Sequence, residues 1–244
     1  MVGTQIMIAP ELRRNVFLYA DRDAAIADDP WAHFCASDMI AIDGIEWPML
    51  EEVRRGLIDR RRPFKKPFHP PDIDPAVTAA MSAILCAADE LFADLFPDVT
   101  VEERTSSFRP MITGPEPLHF DTFEVVQPVV IAFINLATTP RRYRVGHSFP
   151  DLVRDQPDTM REIAKRCNGT NLSYHIRCLT VNDHPPMPKS GPAHSIEFAP
   201  GAIWFFCPKT GSHQIVHGRG AIGRSWILPA GCAPLQEDHM ETLQ

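Results

Sequence analysis

The stretch Pro117-Leu118-His119-Phe120-Asp121-Thr122 places an imidazole and a carboxylate two residues apart. Side chains on a β-strand alternate between faces, so an extended chain here points His119 and Asp121 the same way. Two such donors, joined by a third from elsewhere, hold a divalent metal and leave coordination positions open. The reading of the chain turns on whether the rest supplies that third donor and a β framework to carry it.

Downstream of this stretch the chain reads as β structure. From residue 99, short strands are predicted over 99–105, 107–111, 118–124 and 125–136. The last is almost wholly apolar and therefore buried on both faces, with Pro128 interrupting its start. Residues 137–166 read as an excursion, with an arginine-rich turn (Arg141, Arg142, Arg144) and then a helix over 158–165. Later strands are predicted over 172–181, 194–198, 202–206, 212–217 and 224–228. Between them lie Pro185-Pro186, Pro200-Gly201, the segment 208–211 and the glycines of 218–223. Many short strands with Gly/Pro turns argue for a sandwich or barrel, and 24 prolines disfavour a helical bundle.

Upstream the chain is more helical. One helix is predicted from Pro10 through Val16, Phe17 and Tyr19 toward Ala27, ended by Asp29-Pro30. A strand over 39–44 closes on an Asp-Gly turn, and a short helix covers 50–61. A proline-rich loop over 63–74 leads to the clearest helix. Asp74 is its N-cap, Pro75 its first residue, and Val77, Met81, Ile84, Leu85, Ala88, Leu91, Phe92 and Leu95 its apolar positions before Pro97. A helix this apolar packs along a sheet. The expectation is a single domain over 1–244. A mainly helical part (1–98) packs on a β core (99–229), and a polar tail (233–244) is flexible.

Bulk properties exclude several classes. With 31 acidic and 24 basic residues the formal net charge is −7, which argues against nucleic acid or an anionic membrane as partner. The run Arg60 to Lys66 is short, broken by Pro63-Phe64, and reads as a solvated loop. No apolar stretch approaches the length of a membrane span, and the first ten residues lack a signal-peptide pattern. The six cysteines are scattered without a C-x-x-C pair, which fits free thiols in a reduced, cytoplasmic setting. Cys167, His175 and Cys178 match no compact zinc spacing.

Two further pieces stand beside His119 and Asp121. One is the turn and apolar strand Phe198-Ala199-Pro200-Gly201-Ala202-Ile203-Trp204-Phe205-Phe206. The other runs from Gly211-Ser212-His213-Gln214-Ile215-Val216-His217 through Gly218-Arg219-Gly220 to Arg224-Ser225-Trp226. The order H-x-D, Gly-turn-apolar strand, His, Arg resembles the Fe(II)/2-oxoglutarate-dependent dioxygenases, over roughly residues 99–229. The resemblance implies a mainly β fold with flanking α, a double-stranded β-helix (jelly-roll) core with N-terminal helices. It implies that His119, Asp121 and a distal histidine bind Fe(II). It also implies that Arg224, eleven positions after His213, binds the far carboxylate of the co-substrate 2-oxoglutarate with its two-pronged donor set.

Spacing alone leaves the distal ligand open, because His213 and His217 fall on the same face of a regular strand. The resemblance favours His213, followed by Ile215 and the Gly218 turn, and leaves His217 at the rim. Trp226 stands where the family often carries Ser or Thr, so a second anchor for the carboxylate comes from elsewhere or is absent. Asp121 disfavours halogenation, since halogenating relatives lack this carboxylate. Further pocket candidates are Arg109, Asn135, Thr122, Trp204 and His217, each with an ordinary structural role as the rival reading.

The activity implied is oxidation of a small organic molecule by O2, most simply a hydroxylation, with 2-oxoglutarate converted to succinate and carbon dioxide. Two alternatives stand: a cupin-type metal enzyme that does not use 2-oxoglutarate, and a non-catalytic β-sandwich binding module. Arg224 separates the first, and metal binding the second.

Overall fold

In the computed structural model, the residues described are 4–5, 16–35, 38–58, 74–109, 118–121, 127–155, 157–166, 193–230 and 232. The expected loop over 63–73, the strand over 172–181, the tail over 233–244 and Thr122 lie outside them.

The elements follow in chain order. Strands β1 (Thr4–Gln5) and β2 (Val16–Tyr19) precede helices α1 (Arg22–Ile26) and α2 (Pro30–Cys35), and β3 is Met39–Ile42. Helix α3 (Leu50–Val53) runs into a π-helical turn, Arg54–Ile58, and α4 is Pro75–Leu95. Then come β4 (Glu103–Arg109), β5 (Val129–Asn135) and β6 (Arg141–Ser148), followed by α5 (Phe149–Asp155) and α6 (Pro157–Arg166). The chain ends in β7 (His194–Phe198), β8 (Ile203–Phe206), β9 (Gly211–His217) and β10 (Ala221–Ile227).

Two sheets carry the core. The larger has the order β1-β2-β3-β8-β5-β10-β4, and the smaller β7-β6-β9. Their facing sides bury Ile131, Phe133, Tyr143, Val145, Ile196, Phe198, Trp204, Phe206 and Ile215 in one cluster. The other side of the large sheet buries Val130, Ala132, Ile134, Ile203, Phe205, Ile222 and Trp226 under the helices. The middle strands β5 and β8 are thus apolar on both faces, which is why they read as unbroken hydrophobic runs.

Helix α4 starts as expected, with the Asp74 carboxylate accepting from the Ala76 amide and Pro75 in the first turn. By length and hydropathy it could cross a membrane, contrary to the expectation from sequence. In the fold, its Val77, Ala80, Ile84, Ala88, Leu91, Phe92 and Leu95 are buried against the sheet. Each large side chain among them contributes about 1.5–3 kcal/mol of apolar burial.

Three expectations are corrected. The helix over 10–27 is replaced, from residue 16, by strand β2 and the short helix α1. Val16 faces the inter-sheet cluster and Tyr19 the helix side, which is strand alternation. The strands over 99–105 and 107–111 are one strand, β4, paired along its length with β10. The arginine-rich turn is β6, the central strand of the small sheet. Its burial alternates, with Arg141, Tyr143 and Val145 buried and Arg142 exposed.

Candidate metal centre

His119 and His213 are joined by an isolated antiparallel bridge in which each backbone N–H donates to the other's carbonyl, at 2.9 and 2.8 Å. Directly opposed residues on paired strands project to the same face, so the two imidazoles stand side by side with centroids 4.7 Å apart. Asp121 lies two residues on, its N–H donating to the Pro208 carbonyl at 2.9 Å. Its Oδ1 is 3.4 Å from His119 Nε2 and its Oδ2 is 3.7 Å from His213 Nε2. One donor atom from each of the three lies within 4.8 Å of the others.

His213 Nδ1 lies 3.3 Å from the Gly211 carbonyl. A carbonyl only accepts, so Nδ1 carries a proton; the neutral ring leaves its Nε2 lone pair for a ligand, and the ring is charged only when Nε2 is protonated as well. Phe206 packs edge-on to the His213 ring at 4.7 Å, and Tyr143 lies parallel to it at 6.5 Å. Burial alone would raise the Asp121 carboxyl. The charge on His213, the hydrogen bond and charge of His119, and the charge of Arg109 together outweigh it and hold Asp121 well below the usual carboxylate range. Two imidazole nitrogens and one ionised carboxylate, largely buried and aimed at one point, form the donor set of the 2-His-1-carboxylate type. The fit to a divalent first-row metal is good.

The two candidate distal histidines are placed apart, and of them only His213 lies with His119 and Asp121. Arg142 pairs with His217 but Tyr143 pairs with Ile215, so Val216 forms a bulge in β9. The extra residue breaks the alternation. His213 and Ile215 face the inter-sheet core, while His217 is exposed opposite the exposed Arg142.

Arg224 is not at the site. The inward positions of β10 are Ala221, Gly223 and Ser225, and Arg224 alternates with them onto the helix side beside Ile222 and Trp226. Its Nε and Nη2 donate to Asp89 of α4 at 2.9 and 2.5 Å. The expected co-substrate anchor is thus occupied by a helix carboxylate, and the spacing from His213 failed because parity along β10 was not legible from it.

The other candidates divide. Arg109, across from Ala221 on β4, shares its inward face, and its charge acts on Asp121. Asn135 is fully buried but committed to backbone. Its Nδ2 reaches the carbonyls of Thr139, Phe198 and Ala199 at 3.0–3.1 Å, and its Oδ1 accepts from the Ala137 amide. Trp204 lies inside the inter-sheet cluster, stacked on Phe198 at 4.3 Å.

Sequence reading takes Arg141 as part of an arginine-rich turn, facing either an acidic substrate or solvent, and does not single out Tyr143; β6 turns both into the interior. The alternation of Tyr143 and Val145 with Arg142 and Arg144 carried that signal.

No family model matches the chain, and no curated protein matches it. Among solved structures it is similar to the Kdo hydroxylase KdoO, a non-heme Fe(II) alphaketoglutarate dependent dioxygenase. The complex of that protein with alphaketoglutarate and Fe(III) matches with a TM-score of 0.59 at 16% identity, over 87% of this chain and 88% of that one. Its cobalt(II) complex matches at 0.58 and 14% identity, over 87% and 89%. The apo form matches at 0.57 and 14%, over 87% and 88%. The likeness establishes the double-stranded β-helix fold.

Proposed function

We propose that this protein is an Fe(II)- and 2-oxoglutarate-dependent oxygenase that hydroxylates a small organic molecule. The observation that carries the reading is the convergence of His119, Asp121 and His213 on one point. The fold shared with KdoO supports it.

With iron and 2-oxoglutarate bound, the centre would supply the oxidising power for C–H hydroxylation, with 2-oxoglutarate and O2 giving succinate and carbon dioxide. His119, Asp121 and His213 would hold the metal from one side and leave its other positions to ligands. The Gly211 carbonyl fixes the His213 tautomer, and the Pro208 carbonyl fixes the backbone at Asp121. Phe206 and Tyr143 wall the site with apolar surface that limits water. Arg109 brings a positive charge close to the centre, which suits an anionic group on the substrate.

The test is succinate release on adding Fe(II), 2-oxoglutarate and O2, with wild type and His119→Ala compared. Succinate should form with the wild type alone. A wild-type chain that binds Fe(II) but neither binds nor consumes 2-oxoglutarate would favour the cupin-type reading, and one that binds no metal would favour a binding module.

A further inference from the structure

Arg141 is a long cation with no exposed surface, and it faces the space between the two sheets. Its Nη1 donates to the Arg219 carbonyl at 3.1 Å. Its Nε and Nη2 have no hydrogen-bond partner among the described residues. A buried guanidinium with two idle donors is costly unless an anion completes it. Gly218 covers it closely, since a Cβ there would meet the Arg141 Cγ at 2.6 Å.

The neighbours relate this cation to the metal centre. The Arg141 guanidinium carbon lies 5.9 Å from the centroid of Tyr143, and the same ring lies parallel to His213 at 6.5 Å. Trp204 packs edge-on against Tyr143 at 5.2 Å, and its Nε1 is also buried without a partner among the described residues. Idle donors on two interior side chains therefore lie one aromatic ring beyond a metal ligand, in the same inter-sheet space.

Resting on the proposed use of 2-oxoglutarate, we infer that Arg141 of β6, and not Arg224 of β10, binds the far carboxylate of the co-substrate, with Trp204 Nε1 as a second donor. A dicarboxylate matches this arrangement: its 2-oxo acid end faces the metal and its other carboxylate reaches the fork of Arg141. This also supplies the second anchor that Trp226 cannot be.

The experiment compares 2-oxoglutarate with 2-oxopentanoate, in which a methyl replaces the far carboxylate. Both are titrated calorimetrically, without oxygen, into the Fe(II)-loaded full chain and its Arg141→Met and Arg224→Met variants. Wild type and Arg224→Met should prefer 2-oxoglutarate by at least about 30-fold, the penalty for truncating one side of a buried charge pair. Arg141→Met should lose that preference while binding Fe(II) and 2-oxopentanoate as wild type does. Retention of the preference by Arg141→Met, or its loss in metal-binding Arg224→Met, overturns the inference. If Arg141→Met does not fold, Arg141→Lys decides. Weakened 2-oxoglutarate with unchanged 2-oxopentanoate supports the assignment, and any other pattern overturns it. A metal-loaded wild type that binds neither ligand instead removes the functional reading on which the inference rests.

Discussion

Arg224 and Asp89 join the last core strand to the longest helix, the guanidinium meeting both oxygens of the carboxylate at 2.9 and 2.5 Å. Trp226 Nε1 donates to the same Asp89 at 2.8 Å while its ring stacks on Phe92 at 4.3 Å. The pair is a docking contact between β10 and α4. A sequence motif that pointed to ligand binding thus serves the helix–sheet interface.

Replacing Asp89 by Asn removes the charge that Arg224, Trp226 and Arg104 share in a half-buried setting. The expected cost is about 1–3 kcal/mol of stability, read by chemical denaturation. Affinity for 2-oxoglutarate should be unchanged. A loss of affinity in a folded Asp89→Asn chain would return Arg224 to the site.

His213→Ala should abolish tight Fe(II) binding while the chain stays folded. Outer partners of metal ligands are worth roughly 10–100-fold in affinity, so loss of a ligand itself should exceed about 100-fold. Anaerobic titration with Fe(II) reads this directly. His217→Ala should bind as wild type does, because the bulge at Val216 leaves His217 exposed.

Ile84 is fully buried in the middle of α4, within the cluster that joins the helix to the sheet. Ile84→Ala should cost about 2–5 kcal/mol through lost burial and the cavity left behind. The midpoint of urea unfolding should fall without a change in slope.

The Tyr19 hydroxyl is pushed well above its ordinary value, first by burial, then by its hydrogen bond to Asp28 and the charges of Asp28 and Asp38. The folded state therefore holds this proton more tightly than the unfolded chain does. The associated stability is complete below the ordinary tyrosine value near 10 and is lost as pH rises toward the folded value. The stability difference between wild type and Tyr19→Phe should stay constant through neutral pH and narrow above about pH 10. A difference that is flat across the alkaline range would contradict the assignment.

The sequence by itself determined the parts governed by short-range chemistry. Asp74-Pro75 and the apolar spacing after it fixed where α4 begins and which stripe it buries. The H-x-D spacing placed His119 and Asp121 together, and the continuous apolar run over 125–136 marked β5 as buried on both faces. Tertiary structure decided which way each strand faces, because one residue of register or one bulge reverses every side chain beyond it. A single bulge at Val216 separated His213 from His217. Pairing with β5 and β4 set the parity of β10 and sent Arg224 to Asp89. The same pairing logic turned Arg141 inward on a strand that had read as a turn. Local sequence carries the period of a strand. Its phase is set by partners far away in the chain, and that phase decided which arginine faces the space between the sheets.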